Sequence, residues 1–186
     1  MTAAQVDEYL AERTGRFEWR AVRYRAALTA LQQYGLDDSD TVYDIGAGFT
    51  ELDVVLRVDG GWRGRYAPID LGIDPYHHDL ERWCPPRRVR FAVALEVLEH
   101  LERPWRLLHR LQEYVDVIVV SVPNPRTVDV LGIDRTHKTI VTESDLRDAG
   151  FAVREETFYG GVYSDGRPDA LFGVWTCEVA PRTSEA

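Results

Sequence analysis

Apolar side chains recur along the chain in two rhythms, and the switching between them predicts the elements. Short apolar runs stand at Thr41 to Asp44 (TVYD), Tyr66 to Asp70 (YAPID), Phe91 to Leu95 (FAVAL) and Val115 to Val122 (VDVIVVSV). Runs of this kind suit parallel strands, the longer ones buried on both faces. Between them the spacing turns helical. A short crossover helix is expected at about Glu51 to Arg57, stopped by Asp59-Gly60-Gly61. Pro104 opens another, whose apolar face is Trp105, Leu107, Leu108 and Leu111.

Residues 3 to 34 carry helical spacing too, with Val6, Tyr9 and Leu10 in one group and Phe17, Val22, Leu28 and Leu31 in another. Gly15 divides two helices there, and Gly35 has the character of a C-terminal cap. Thr142 caps a short helix that Gly150 closes. Phe151 to Phe158 and Ala170 to Ala180 are expected as two strands joined by the turn-rich SDGRPD, an antiparallel pair after an otherwise parallel sheet. Pro75 to Arg90 is irregular and leaves no room for a long second crossover helix. The pattern predicts an α/β fold and one domain over 1–186: N-terminal helices (1–36), a core (37–180) and a frayed tail (181–186, PRTSEA). No internal repeat is evident.

Composition narrows the function classes. A chain of 186 residues with 45% hydrophobic side chains and five Trp has enough for one full core and too little for a separate substrate domain. No run is long enough to span a membrane, and the N-terminus lacks a basic-then-apolar leader, so a cytoplasmic location is expected. Cys84 and Cys177 have no metal spacing and are expected to be reduced and inert. The formal charge of −9 argues against non-specific nucleic-acid binding and against DNA. Arg82, Arg87, Arg88 and Arg90 form a local basic patch, read as a solvated loop.

The chemistry-bearing stretch is TVYDIGAGFTELD, Thr41 to Asp53. An apolar strand ends on Asp44, a Gly-Ala-Gly turn follows, and a helix begins near Glu51. Gly46 and Gly48 have no Cβ, so a ligand can lie against bare backbone with a helix N-terminus directed at it. A dinucleotide would put a pyrophosphate there and would be repelled by Asp44 and Glu51. The two acids instead suit a ligand with a cationic ammonium and sulfonium, such as S-adenosylmethionine. Asp70 lies twenty-two residues beyond Gly48, close to the offset at which nucleotide folds place the carboxylate that takes the ribose hydroxyls.

DIGAGFT resembles the first motif of the class I S-adenosylmethionine-dependent methyltransferases, with Thr50 where the third glycine would stand. A second stretch, ALEVLEHL followed by Pro104, resembles the segment after the fourth strand in the ubiquinone-biosynthesis and related type 11 methyltransferases. The two motifs, in order and at matching separation, extend the resemblance across roughly residues 41 to 180. It implies a Rossmann-like class I methyltransferase fold, with a seven-stranded, mostly parallel sheet, a C-terminal antiparallel hairpin and helices on both faces. It also implies that Asp44, Gly46, Ala47, Gly48 and Thr50 surround the methionine end of the cofactor and that Asp70 and Leu71 meet the ribose. Asp79 and Leu80 would contact the adenine, with Trp83 as a stacking face, and Tyr9 and Tyr24 would be lid residues if they are not core.

Methyl transfer from a sulfonium is an in-line displacement on an already activated carbon, and positioning alone can supply about 7 to 11 kcal/mol. No covalent nucleophile is required. Glu96, Glu99, His100 and His137 are the candidates beside the acceptor, with His100 or His137 as a general base. The arrangement E-x-x-E-H with a later histidine is similar to the metal-binding set of small-RNA 3′-terminal 2′-O-methyltransferases and to residues proposed to hold Mg²⁺ in ubiquinone O-methyltransferases. That resemblance implies a divalent metal. A structural role for Glu99 and His100, tying the strand end to the next loop, ranks ahead of it. His77, His78 and Asp79 are read as exposed polar residues.

The expected function is methyl transfer to an O or N acceptor, a small molecule ahead of a protein or RNA. Two other classes compete: a nicotinamide-dependent oxidoreductase, and a catalytically silent partner protein that binds S-adenosylmethionine.

Overall fold

A computed structural model describes residues 20–72 and 78–177. The expectations for Val6, Tyr9, Leu10, Gly15, Phe17, Pro75, His77 and the tail lie outside the described residues. Among the described residues six strands are formed: β1 (Thr41–Ile45), β2 (Arg65–Ile69), β3 (Val89–Leu95), β4 (Val115–Pro123), β5 (Ala152–Glu156) and β6 (Ala170–Thr176). They alternate with α1 (20–33 within the described residues), α2 (Glu51–Val58), α3 (Pro104–Tyr114), α4 (Val130–Ile133) and α5 (Glu143–Asp148). A single 3₁₀ turn, Leu98–His100, follows β3. Among the described residues no helix is long and apolar enough to cross a membrane.

The strands line up as β2-β1-β3-β4-β6-β5 in one sheet. β2, β1, β3 and β4 are parallel, and β6 enters antiparallel between β4 and β5. Alternation along the central strands sends side chains to two cores. Ala92, Ala94, Ile118 and Val120 meet Leu107, Leu108 and Leu111 of α3 and Leu146 of α5. Phe91, Val93, Val117 and Val119 meet Leu28 and Leu31 of α1 and Leu52, Val55 and Leu56 of α2. Burial on both faces is why β3 and β4 read as unbroken apolar runs.

Local signals act where expected. Gly35 closes α1 with φ +75°, and the N–H of Leu36 returns to the carbonyl of Leu31 at 3.0 Å. Thr142 and Asp145 exchange side-chain and backbone bonds as a capping box on α5.

The sheet has six strands among the described residues, where seven were expected. The described residues between β2 and β3 form turns and bends instead of a further strand. Asp79 accepts the N–H of Glu81 on its carboxylate at 3.0 Å and that of Trp83 on its carbonyl at 2.7 Å, which coils the chain into turns. Arg110 of α3 then pins this segment through the carbonyls of Leu80 (2.9 Å) and Glu81 (3.2 Å).

Candidate active site

β1 lies between β2 and β3, so the connections leaving β1 and β3 diverge to opposite sides of the sheet. In open α/β sheets that divergence opens a crevice beyond the carboxyl ends of the two strands. The Gly46 to Thr50 turn follows β1, and the Glu96 to His100 segment follows β3. Topology therefore brings the two sequence motifs to one place.

On the β1 side, Gly46 (φ +69°), Gly48 (φ +51°) and Thr50 (φ +59°) all take left-handed backbone. A Cβ at Gly46 would stand 2.4 Å from Val97 Cγ2, whereas one at Gly48 would meet nothing nearer than the Gly46 carbonyl at 4.0 Å. Gly46 is thus needed for packing between the two motif loops, and Gly48 borders open space. Asp70, at the end of β2, reaches back: its Oδ2 accepts the N–H of Gly48 at 2.9 Å and its Oδ1 that of Gly72 at 2.7 Å.

The acids around the turn are less free than the sequence suggests. Asp44 is buried and accepts the hydroxyl of Tyr66. Burial raises its carboxyl to about 7, opposed by that bond and by Arg23. Glu51 is gripped by Arg20, with Nε to Oε2 at 2.8 Å and Nη2 to Oε1 at 2.5 Å, and by the Tyr24 hydroxyl at 3.0 Å. These α1 side chains, with Arg23, sit over the turn and leave a cavity of about 110 Å³ above it. That volume is well below the roughly 300 to 1,000 Å³ of pockets for drug-sized ligands.

On the β3 side, Glu96 holds left-handed backbone (φ +57°), rare for a residue with a Cβ. That conformation aims its carboxylate at Ser121 Oγ (2.6 Å) and at the Tyr159 hydroxyl. Tyr159 is itself set by Asp169, fully buried, whose carboxylate accepts the N–H groups of Phe158 (2.6 Å), Tyr159 (3.1 Å to Oδ2) and Gly161 (2.8 Å).

Glu99 is completely buried, and neither of its carboxylate oxygens has a hydrogen-bond partner among the described residues. Burial, reinforced by Glu96, pushes its carboxyl well above the usual carboxylate range. His100 and His137 stand beside it with ring centroids 4.7 Å apart. His100 Nδ1 contacts Thr136 Oγ1 at 3.0 Å, and His137 Nδ1 donates to the Val130 carbonyl at 2.5 Å. A carbonyl only accepts, so Nε2 of His137 is left as its acceptor nitrogen when the ring is neutral. Burial, and then His137, lowers the His100 pKa. Ligating atoms of Glu99, His100 and His137 lie within 4.8 Å of one another. An orphaned buried carboxylate beside two oriented imidazoles fits the donor chemistry of a divalent cation.

The backbone of Glu99 also does what the structural alternative expects: its carbonyl accepts the N–H groups of Lys138 (2.7 Å) and Thr139 (3.1 Å), anchoring the loop that carries His137. Farther out, Leu71 is 65% exposed, and Leu80 is partly buried against the core. Trp83 is buried edge-on to Tyr43, with centroids 5.7 Å apart, and serves the core. Of the basic patch, Arg88 pairs with Asp116 at 2.6 Å, and Arg90 binds the carbonyls of Gly35 and Tyr34. Arg20, Arg23, Ser121 and Tyr159 escaped sequence reasoning. No local motif marks them.

No protein-family model matches the chain, and no curated protein matches it in sequence. Solved structures do match in shape. One is the complex between the Haloferax volcanii Trm112 methyltransferase activator and a candidate methyltransferase, with 16% identity, TM-score 0.62 and 97% of each chain covered. A second is the plantazolicin methyltransferase BpumL in complex with SAH, at 12% identity, TM-score 0.60 and coverage of 92% of this chain and 88% of that one. A third is a SAM-dependent methyltransferase from Aquifex aeolicus, with 17% identity, TM-score 0.52 and coverage of 78% and 86%. The fold is the class I methyltransferase fold. At these identities the likeness is one of architecture, and the antiparallel β6 inserted between β4 and β5 is part of it.

Proposed function

We propose that the protein transfers a methyl group from S-adenosylmethionine to an oxygen or nitrogen of a small-molecule acceptor. The observation that carries this reading is the bond between Gly48 and Asp70 at the switch-point crevice of a methyltransferase fold. It sets a carboxylate with unused lone pairs beside a stretch of bare backbone, the pairing that a ribose and its amino-acid tail require.

In this reading Gly46, Ala47, Gly48 and Thr50 surround the methionine end, with Asp44 beneath it. Asp70 and Leu71 take the ribose, Asp79 and Leu80 border the adenine, and Glu96 stands near the methyl group. The acceptor lone pair forms the new bond to the methyl carbon while the carbon–sulfur bond breaks and sulfur keeps its electron pair. A proton on the acceptor leaves to a base. His100, its pKa lowered by burial, is neutral at pH 7 and suits that role, with His137 as the other candidate. Alternatively, Glu99, His100 and His137 would hold a divalent cation, which when bound lowers the pKa of an acceptor hydroxyl; the two imidazoles would then be ligands and not the base. The acidic surface, −9 overall, favours a small acceptor over nucleic acid.

Calorimetric titration with S-adenosylhomocysteine and with NADH tests the reading. Binding of the former and none of the latter is expected; the reverse would end it. A methyl-release assay across acceptor pools, with His100→Ala as comparison, separates an enzyme from a silent binding protein.

A further inference from the structure

A second cleft opens beside the site, with a volume of about 530 Å³, and it carries the opposite sign to the chain. Arg82, Arg103, Arg106 and Lys138 line it, together with three acids. Arg103 and Arg106 are exposed on the first turn of α3 and make no side-chain hydrogen bond or ion pair among the described residues. The three acids, Asp79, Glu81 and Glu102, offset three of the four charges and are engaged in local contacts of their own. Glu81 spends Oε1 on the N–H of Glu102 at 2.5 Å, and Asp79 spends Oδ1 on the N–H of Glu81 at 3.0 Å. The ion pairs that remain, Arg82 to Asp79 at 3.7 Å and Lys138 to Glu102 at 3.8 Å, are long and solvent-exposed, and such pairs are weak.

The walls are held in place. Arg110 fastens the Leu80 and Glu81 carbonyls to α3, and the N–H of Lys138 is anchored on the Glu99 carbonyl. Its lining includes Leu71, which follows Asp70 in the chain, Asp79, and Lys138, which follows His137. The cleft therefore adjoins both halves of the site. Four cationic side chains face three carboxylates, a net formal charge of +1, and the guanidinium forks of Arg103 and Arg106, which have no partner among the described residues, match the charge sign and donor geometry that a phosphate requires.

Resting on the methyl-transfer reading, we propose that this cleft binds a phosphate group carried by the small-molecule methyl acceptor. The test is calorimetry on the full chain with inorganic pyrophosphate as the probe and acetate as a monoanion control, comparing wild type, the double variant Arg103→Ala/Arg106→Ala, and Arg88→Ala at the opposite end of the sheet. Pyrophosphate should bind the wild type, acetate should not, and the double variant should bind about tenfold or more weaker, as expected for lost charge-assisted bonds. Arg88→Ala should match the wild type, and S-adenosylhomocysteine affinity should be the same in all three. The idea is overturned if wild type ignores pyrophosphate, if acetate binds as well, or if the double variant is unaffected. Parallel loss of S-adenosylhomocysteine affinity in the double variant would also overturn it, by assigning the cleft to the cofactor. Wild type that binds pyrophosphate but no S-adenosylhomocysteine sinks the methyl-transfer reading and not the anion site.

Discussion

Gly48 and Asp70, twenty-two residues apart, share a 2.9 Å hydrogen bond that ties the turn after β1 to the end of β2. The same carboxylate accepts the N–H of Gly72, so one side chain ties two loops together and still has lone pairs to spare. Asp70→Asn puts an amide NH₂ against one of these N–H donors. Affinity for S-adenosylhomocysteine should fall by about tenfold or more, the loss expected for a charged hydrogen bond, while stability drops by about 1 kcal/mol. Calorimetry and urea denaturation on one preparation report both.

Gly46 and Gly48 should separate folding from binding. Gly46→Ala drives a Cβ to 2.4 Å from Val97 and strains a φ of +69°. Overpacking costs about 1 to 3 kcal/mol and left-handed backbone about 1 to 2 more, so a large fall in the denaturation midpoint is expected. Gly48→Ala carries only the backbone cost, since nothing stands within 4.0 Å of its Cβ. It should fold with a loss of about 1 to 2 kcal/mol yet bind cofactor poorly, because the new methyl group points into open space that the ligand needs. Equal affinity in Gly48→Ala and wild type would place the cofactor elsewhere.

Asp44 makes stability depend on pH. Its carboxyl rises from an ordinary 3.8 to about 7 on folding, with burial as the main cause. Between those values the folded chain holds a proton that the unfolded chain has released. The stabilising contribution is therefore complete below about pH 4 and is lost as pH rises through about 7, by up to about 4 kcal/mol. Asp44→Asn keeps an acceptor for Tyr66 and should flatten that slope. A cationic cofactor favours the ionised form, so wild-type affinity for S-adenosylmethionine should rise with pH through about 7, and the Asn variant should show no such rise.

Glu99, His100 and His137 yield a prediction that does not depend on the acceptor. Mn²⁺ added to the chelator-stripped protein should bind and raise its thermal midpoint, because a cation would give the buried Glu99 carboxylate a partner and take the two imidazoles as ligands. His137→Ala and Glu99→Gln should each abolish the shift. A thermal midpoint indifferent to Mn²⁺ would assign Glu99 to anchoring the 138–139 loop alone.

What could be read from the chain alone was local. Apolar runs marked β1, β3 and β4 because buried parallel strands need them. Pro104, Thr142 and Gly35 marked helix ends because backbone geometry demands such residues there. The Gly-Ala-Gly turn and the acid after β2 were visible for the same reason, each within a few residues of its own element. The count of seven strands failed because it came from resemblance, while the segment after β2 coils on Asp79 and is pinned by Arg110, a partner about thirty residues away. Likewise, the acids flanking the turn were read as unpaired, yet Glu51 belongs to Arg20, thirty-one residues earlier, and Asp44 to Tyr66. Tyr159 meets Glu96 across sixty-three residues. Periodicity and capping are properties of neighbours along the backbone, so they are written in the sequence; the charge balance of the crevice, the orphaning of Glu99 and the meeting of the two histidines depend on which distant loops the sheet order brings together, and only the tertiary structure decides that.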